Sequence, residues 1–355
     1  MKVKFTLAAL ALIAAGCSNQ ELTEAVQEGQ DSNARIVTLQ ATMPETTDQA
    51  PATRATYESD GKTVSGVVMK WESTDKLKLC FKHGGNYYHK DADIVPGSIS
   101  KDGKMAMFTL IVPTEIPDED TFDFYAVYQR EHPNSYFPSG YFHPGTTNFE
   151  IVADEYCNVT LARRGDSGLG IINPMLLFSA KNTTKAGLGT LKLNFEHTGW
   201  IMALHLKNST GSERDLPRSI EFRYPYESTT SFIWNGYTLT YNDVLMDVST
   251  GTVTTSFSDW QSKQCVMFGI NERSDNPLLN GKLAAGAEQV LYRWVVSTPQ
   301  IEEMQTKFVR KNGIYFYTTN RLPARTVTKG KVYHVFLDWT ASGGKLTKRD
   351  GTPLP

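Results

Sequence analysis

The chain has 355 residues, with 36 Lys and Arg against 38 Asp and Glu and a formal net charge of −2. That near balance leaves no basic footprint for nucleic acid, and the length allows two domains of ordinary size. Four cysteines are too few to staple so long a chain.

Lys2 and Lys4 precede the apolar run Phe5 to Ala15, which Ala14-Ala15-Gly16-Cys17 closes. A charged start, an apolar segment too short to span as a mature helix, and small residues before a cysteine mark a bacterial lipoprotein signal peptide over residues 1–16. The Cys17 thiol is the atom that would carry the lipid. Two or three acyl chains of the palmitate kind make a stable anchor, where one holds only marginally. A lipoprotein precursor is therefore expected, anchored to a membrane without crossing it. With Cys17 lipidated, Cys80, Cys157 and Cys265 remain, as three isolated thiols or as one disulfide and a free thiol. Cys80 alternates with Lys76, Lys78 and Lys82, on the opposite face from Leu77, Leu79 and Phe81.

Residues 17–55 form the leader. Beyond the polar stretch Ser18 to Asn33 comes Ile36-Val37-Thr38-Leu39-Gln40-Ala41-Thr42, with Val37, Leu39 and Ala41 on one face. This is a strand that would complete a sheet. A polar segment with Pro44 and Pro51 follows, ending in Ala52-Thr53-Arg54-Ala55-Thr56-Tyr57. A Pro- and Thr-rich segment with one arginine is within reach of a trypsin-like protease. Cutting between Arg54 and Ala55 would remove lipid and strand together. The sheet left behind would expose an unpaired edge and an apolar groove, which favours accepting another chain's strand.

From there the pattern has period two. Phe122, Phe124, Ala126 and Tyr128 lie opposite Thr121, Asp123 and Gln129. Leu191, Leu193 and Phe195 lie opposite Lys192 and Asn194, and Trp200, Met202, Leu204 and Leu206 opposite His205 and Lys207. Tyr333, Val335, Leu337 and Trp339 interleave with His334 and Asp338. Further strands are expected at Thr63 to Met69, Ser219 to Tyr224, Tyr237 to Tyr241, Thr252 to Phe257, Cys265 to Ile270, Gln289 to Ser297 and Ile314 to Thr319. Asp60-Gly61, Asp102-Gly103, Asn235-Gly236 and Asn312-Gly313 supply hairpin turns. Pro299 to Phe308, with its Glu-rich opening, is the one short helix expected. The fold class is all-β, a sandwich architecture with little helix. The Gly, Thr and Lys cluster Lys181 to Gly189 marks a boundary between an N-terminal sandwich at 56–183 and a C-terminal one at 184–355.

Several of these features together resemble the fimbrillins, the Bacteroidales pilus subunits of the major and minor fimbrium type. They are the lipoprotein signal, the early strand, Ala52-Thr53-Arg54-Ala55, and Trp71-Glu72-Ser73-Thr74-Asp75-Lys76-Leu77 leading into a strand. Phe122-Asp123-Phe124-Tyr125-Ala126-Val127-Tyr128, Phe195-Glu196-His197 and Gly330-Lys331-Val332-Tyr333 complete the set, which spans almost the whole chain. The resemblance implies two tandem transthyretin-like antiparallel β-sandwich domains, surface delivery as a lipoprotein, cleavage by an arginine-specific surface protease, and polymerisation with other fimbrial subunits by donor-strand exchange. Thr340 to Pro355, polar and with Gly343-Gly344, reads as a poor donor strand. A stalk position and a tip position stay open, with an anchor position third.

Other motifs carry less. Gly165-Asp166-Ser167-Gly168 resembles the nucleophile loop of serine proteases, but no partner motif accompanies it and Leu169 stands where glycine is expected, so a Gly-rich turn is the reading. Arg164-Gly165-Asp166 is too short to specify adhesion. Seven scattered histidines form no metal motif, though His197 and His205 could meet across a hairpin. No enzyme, cofactor or metal is expected. The aromatic loop from Ser135 to Gly145 offers Tyr136, Phe137, Tyr141 and Phe142 as a ligand loop for a glycan or host protein. The alternative function is thus a surface lipoprotein or tip adhesin that binds without polymerising.

Overall fold

The computed structural model describes residues 35–44, 56–59, 64–129, 140–151, 175–224, 233–234, 244–255, 264–268, 282–310, 312–341 and 343–354. Its described residues are almost entirely strands and turns. The first large sheet contains β1 (Arg35–Thr42), β2 (Lys76–His83), β3 (Asn86–Ile94), β4 (Met105–Val112), β5 (Phe122–Tyr128), β6 (Leu176–Thr183), β7 (Lys192–Asn194) and β8 (Glu196–His197). Their spatial order is β7-β1-β4-β3-β2-β5-β6-β8. A single helical turn, α1 (Lys185–Leu188), capped by the Thr184 hydroxyl, connects β6 to β7.

The second large sheet contains β9 (Trp200–Asn208), β10 (Ser219–Arg223), β11 (Ile233–Trp234), β12 (Gln264–Phe268), β13 (Glu288–Ser297), β14 (Gln305–Val309), β15 (Tyr315–Tyr317), β16 (Val332–Thr340) and β17 (Gly343–Thr347). Its order is β15-β14-β10-β12-β11-β13-β9-β16-β17. Most ladders are antiparallel, but β1 with β7, β9 with β16, and β11 with β12 run parallel. The ladders are mixed, where purely antiparallel ones were expected.

Alternation builds two cores. Leu77, Leu79, Phe81, Phe108, Leu110, Phe124 and Leu193 belong to the first, and Met202, Leu204, Leu206, Phe222, Phe308 and Leu337 to the second. A four-stranded sheet covers the first on its other side, pairing Tyr141–Phe142 and Asn148–Glu150 with Val244–Asp247 and Thr252–Thr255. The first core therefore also takes in Val244, Met246 and Val248 from far along the chain.

That extra layer overrides one reading of the sequence. Cys80 is fully buried beside Tyr125, because the strand face it shares with the lysines is covered. Desolvation pushes its thiol up to about 12. The expected helix at residues 299–308 is absent. Gln300–Ile301 and β14 are strands, and Met304 bridges Leu322. His197 and His205 do not meet across a hairpin either. Thr198-Gly199 carries the chain from one sheet to the other, and His205 Nε2 lies 2.8 Å from His334 Nδ1.

Candidate functional site

β1 is the strand expected at Ile36 to Thr42, and it lies inside the first sheet. Along its whole length it pairs antiparallel with β4, from Arg35 opposite Val112 to Thr42 opposite Met105. On its other side, the described pairing is limited to Gln40, Ala41 and Thr42, which lie parallel to Lys192, Leu193 and Asn194 of β7. Phe195 N donates to Thr42 O at 3.1 Å, and Met43 N to Lys104 O at 2.9 Å.

The inward side chains of β1 step from branched to small. Val37, Leu39, Ala41 and Met43 are all buried, while Ile36 on the outer face is 41% exposed. Trp71 closes over the small position, and its Nε1 donates to Ala41 O at 3.2 Å. The indole sits among Phe108, Tyr128 and Phe195, with ring centres 4.9, 4.9 and 5.9 Å away. Burial of Val37, Leu39 and Met43 contributes about 1.5–3 kcal/mol each. Their sum is comparable to the net stability of a domain.

Where the chain leaves β1, a cavity of about 540 Å³ opens between Met43 and Pro44 on one side and Asn194, Glu196, His197 and Lys329 on the other. Burial, with the nearby Lys104 charge, pushes His197 down to about 4, so its imidazole is neutral at pH 7.

At one edge of the second sheet β17 folds back on β16, from Phe336 opposite Thr347 to Thr340 opposite Gly343. Asn320 laces it in place. Its Oδ1 accepts from Leu346 N at 2.9 Å, and its Nδ2 donates to Leu346 O at 2.8 Å and Leu354 O at 3.0 Å. Sequence reading missed both Asn320 and Trp71's hydrogen bond, since each acts on residues remote in the chain.

Cys17, Arg54, Ala55, Tyr136 and Phe137 lie outside the described residues. Ile36 to Thr42 all fall within β1. Of the aromatic loop, Tyr141 is 43% exposed and stacks on His143 at 5.3 Å. Phe142 is buried, stacked on His89 at 5.0 Å and edge-on to Phe149 at 5.1 Å. Among the described residues, no group of three His, Cys, Asp or Glu side chains could hold a metal ion.

No protein-family model matches the chain, and no curated protein matches it. Solved structures do resemble it. A protein provisionally assigned to cell adhesion from Bacteroides uniformis is 14% identical, covering 88% of this chain and 96% of its own, with a TM-score of 0.41. The tip fimbrial protein Mfa3 of Porphyromonas gingivalis, with a C-terminal truncation, is 10% identical over 88% of this chain and 98% of its own, at a TM-score of 0.32. A fimbrial assembly protein of Parabacteroides distasonis is 8% identical over 88% and 94%, at 0.38. Two of these three structures are of fimbrial proteins and one of a protein provisionally assigned to cell adhesion. They are of the kind that the sequence resembles, at low identity.

Proposed function

We propose that this chain is a fimbrillin-like subunit of a surface pilus, carried out as a lipoprotein on Cys17 and matured by cleavage between Arg54 and Ala55. Loss of β1 then opens a slot beside β4 for a donor strand from another subunit. One observation carries this reading. The strand that precedes Arg54 fills a place in the sheet core, bonded to β4 along all of its length and burying Val37, Leu39, Ala41 and Met43. A segment this deep is not a disposable leader. Its removal leaves donors, acceptors and an apolar trough that only another strand can satisfy.

On this reading the chain folds as tandem transthyretin-like domains, divided at 183/184 behind the leader at 17–55, with Leu193, Val244, Met246 and Val248 reaching back across that boundary into the first core. Engagement of β17 by β16 and Asn320 supports a tip position, in which the subunit accepts a strand and does not give β17 in return. The partners are other fimbrial subunits and an arginine-specific surface protease, and the outer membrane before cleavage. No catalytic role is included.

The test is an intact mass with N-terminal sequencing of the surface form from the native host, for wild type and Arg54→Ala. Wild type should begin at Ala55 without lipid, and Arg54→Ala should remain a lipidated monomer beginning at Cys17. Normal polymer from Arg54→Ala, or wild type retained at acylated Cys17, would overturn the maturation step. The second outcome would favour a surface lipoprotein that binds through exposed side chains such as Tyr141.

A further inference from the structure

The outer face of the second sheet carries a surface that strand exchange does not use. β14 and β15 form a hairpin through Asn312-Gly313, where Ile314 N donates to Asn312 Oδ1 at 3.1 Å and Gly313 adopts a φ of 80°. Alternation points Phe316 inward, stacked on Phe308 at 4.9 Å. It points Tyr315 and Tyr317 outward, 57% and 45% exposed, with their rings edge to face at 5.9 Å. The two large rings left side by side in water make a small exposed aromatic patch.

Charge lies beside them. Lys307, directly across from Tyr317, holds its ammonium 4.8 Å from the centre of the Tyr315 ring. One strand further in, Glu221 lies across from Lys307 and is only 4% exposed. Its Oε2 takes Arg223 at 2.5 Å and Lys307 at 3.5 Å. Two cations thus share one carboxylate, and Arg223 Nε is buried without a hydrogen-bond partner. Among the described residues the trio keeps one unmatched positive charge in a poorly solvated place next to two ring faces, which suits an anion attached to a flat body with apolar C–H edges.

We propose that Tyr315, Tyr317 and Lys307 form a binding platform for an acidic sugar, a pyranose bearing a carboxylate. The pyranose lies over the tyrosine rings, and its carboxylate meets Lys307 and the unmatched charge shared with Arg223. β15 ends the sheet, so a peptide adding there as a strand is the competing occupant; it would use the backbone edge of β15 and leave affinity insensitive to the Tyr315 and Tyr317 rings and to Lys307.

Calorimetric titration of the full chain with sialyllactose, a hexuronate trimer and lactose tests this. At least one acidic probe should bind, and lactose should be weaker by about tenfold or more. Tyr315→Ala with Tyr317→Ala should weaken acidic binding by about tenfold or more, since both ring faces are lost. Lys307→Gln should level acidic and neutral sugars. Arg310→Gln is the control, because its guanidinium lies over Phe316 on the other face and should leave binding unchanged. Failure of both acidic probes, equal affinity for lactose, or full affinity in the double-alanine variant overturns the site. The double variant should still be cut after Arg54 and assemble as wild type, so the two readings fail separately.

Discussion

His197 stands where the first sheet hands the chain to the second, and its environment is set by residues far away in sequence. Gly330, at a φ of 76°, lies so close under the imidazole that an added Cβ would meet His197 Cδ2 at 2.9 Å. Only glycine gives both that backbone conformation and that clearance. Burial then pushes the ring down to about 4 from the ordinary 6.5. The folded chain therefore binds the proton less readily than the unfolded chain. Its contribution to stability is fully present above about pH 6.5 and is lost as pH falls toward 4. The loss is on the order of 3 kcal/mol. Urea unfolding at pH 7, 5.5 and 4.5 should show it, and His197→Gln should flatten that part of the profile. An unchanged slope in the variant would mean that other groups carry the pH dependence. His197 itself is plain in the sequence beside Phe195, but its burial is not, since Lys329-Gly330 supplies the wall.

At the level of elements, strands announced by alternating apolar residues were legible, and those shaped by distant contacts were not. Val37, Leu39 and Ala41 predict the inward face of β1, and all three are buried. Gly343-Gly344 read as a polar tail, yet β17 is a strand with Leu346 fully buried. The glycines are there for space. A Cβ on Gly344 would run into the Phe308 ring, which belongs to β14. Residues 299–308 misled in the opposite direction. Ile301 and Met304 fall at helical spacing, but each is buried from a separate strand or bridge. Of the candidate sites, β1 could be found from local pattern, whereas Glu221 beside Lys307 and the tyrosines needs three strands in register before it exists. Asn320 is the sharpest case of such non-local dependence. Asn320→Ala removes two hydrogen bonds from β17 and a third from Leu354 beyond it, and should cost about 2 kcal/mol. Hydrogen exchange should accelerate at Leu346 while β9 keeps its protection. Unaltered exchange at Leu346 would show that β16 alone holds the last strand.

For the whole molecule the decisive question is what β1 does once the chain after it is cut. Cleavage after Arg54 breaks no contact of β1. The ladder to β4 and the buried Val37, Leu39 and Met43 remain, so the strand stays seated until something displaces it. Assembly on the proposed pathway must therefore be limited by release of β1, and a covalent staple between β1 and β4 should stop it. Thr38 and Thr109 face each other across that ladder on the outer side of the sheet. Antiparallel partners lie about 4.5–5.5 Å apart at Cα, within the range a disulfide spans. Cys80 will not scramble the bond, because its buried thiol is held at a pKa of about 12 and thiolate is the attacking species. Oxidised Thr38→Cys/Thr109→Cys protein should be cut after Arg54 yet stay monomeric and lipid-linked. Non-reducing gels would retain the leader, and reducing gels would release it. Adding dithiothreitol should restore polymer at the wild-type rate. Polymer from the oxidised, cleaved protein would mean that the incoming strand enters somewhere other than the β1 slot.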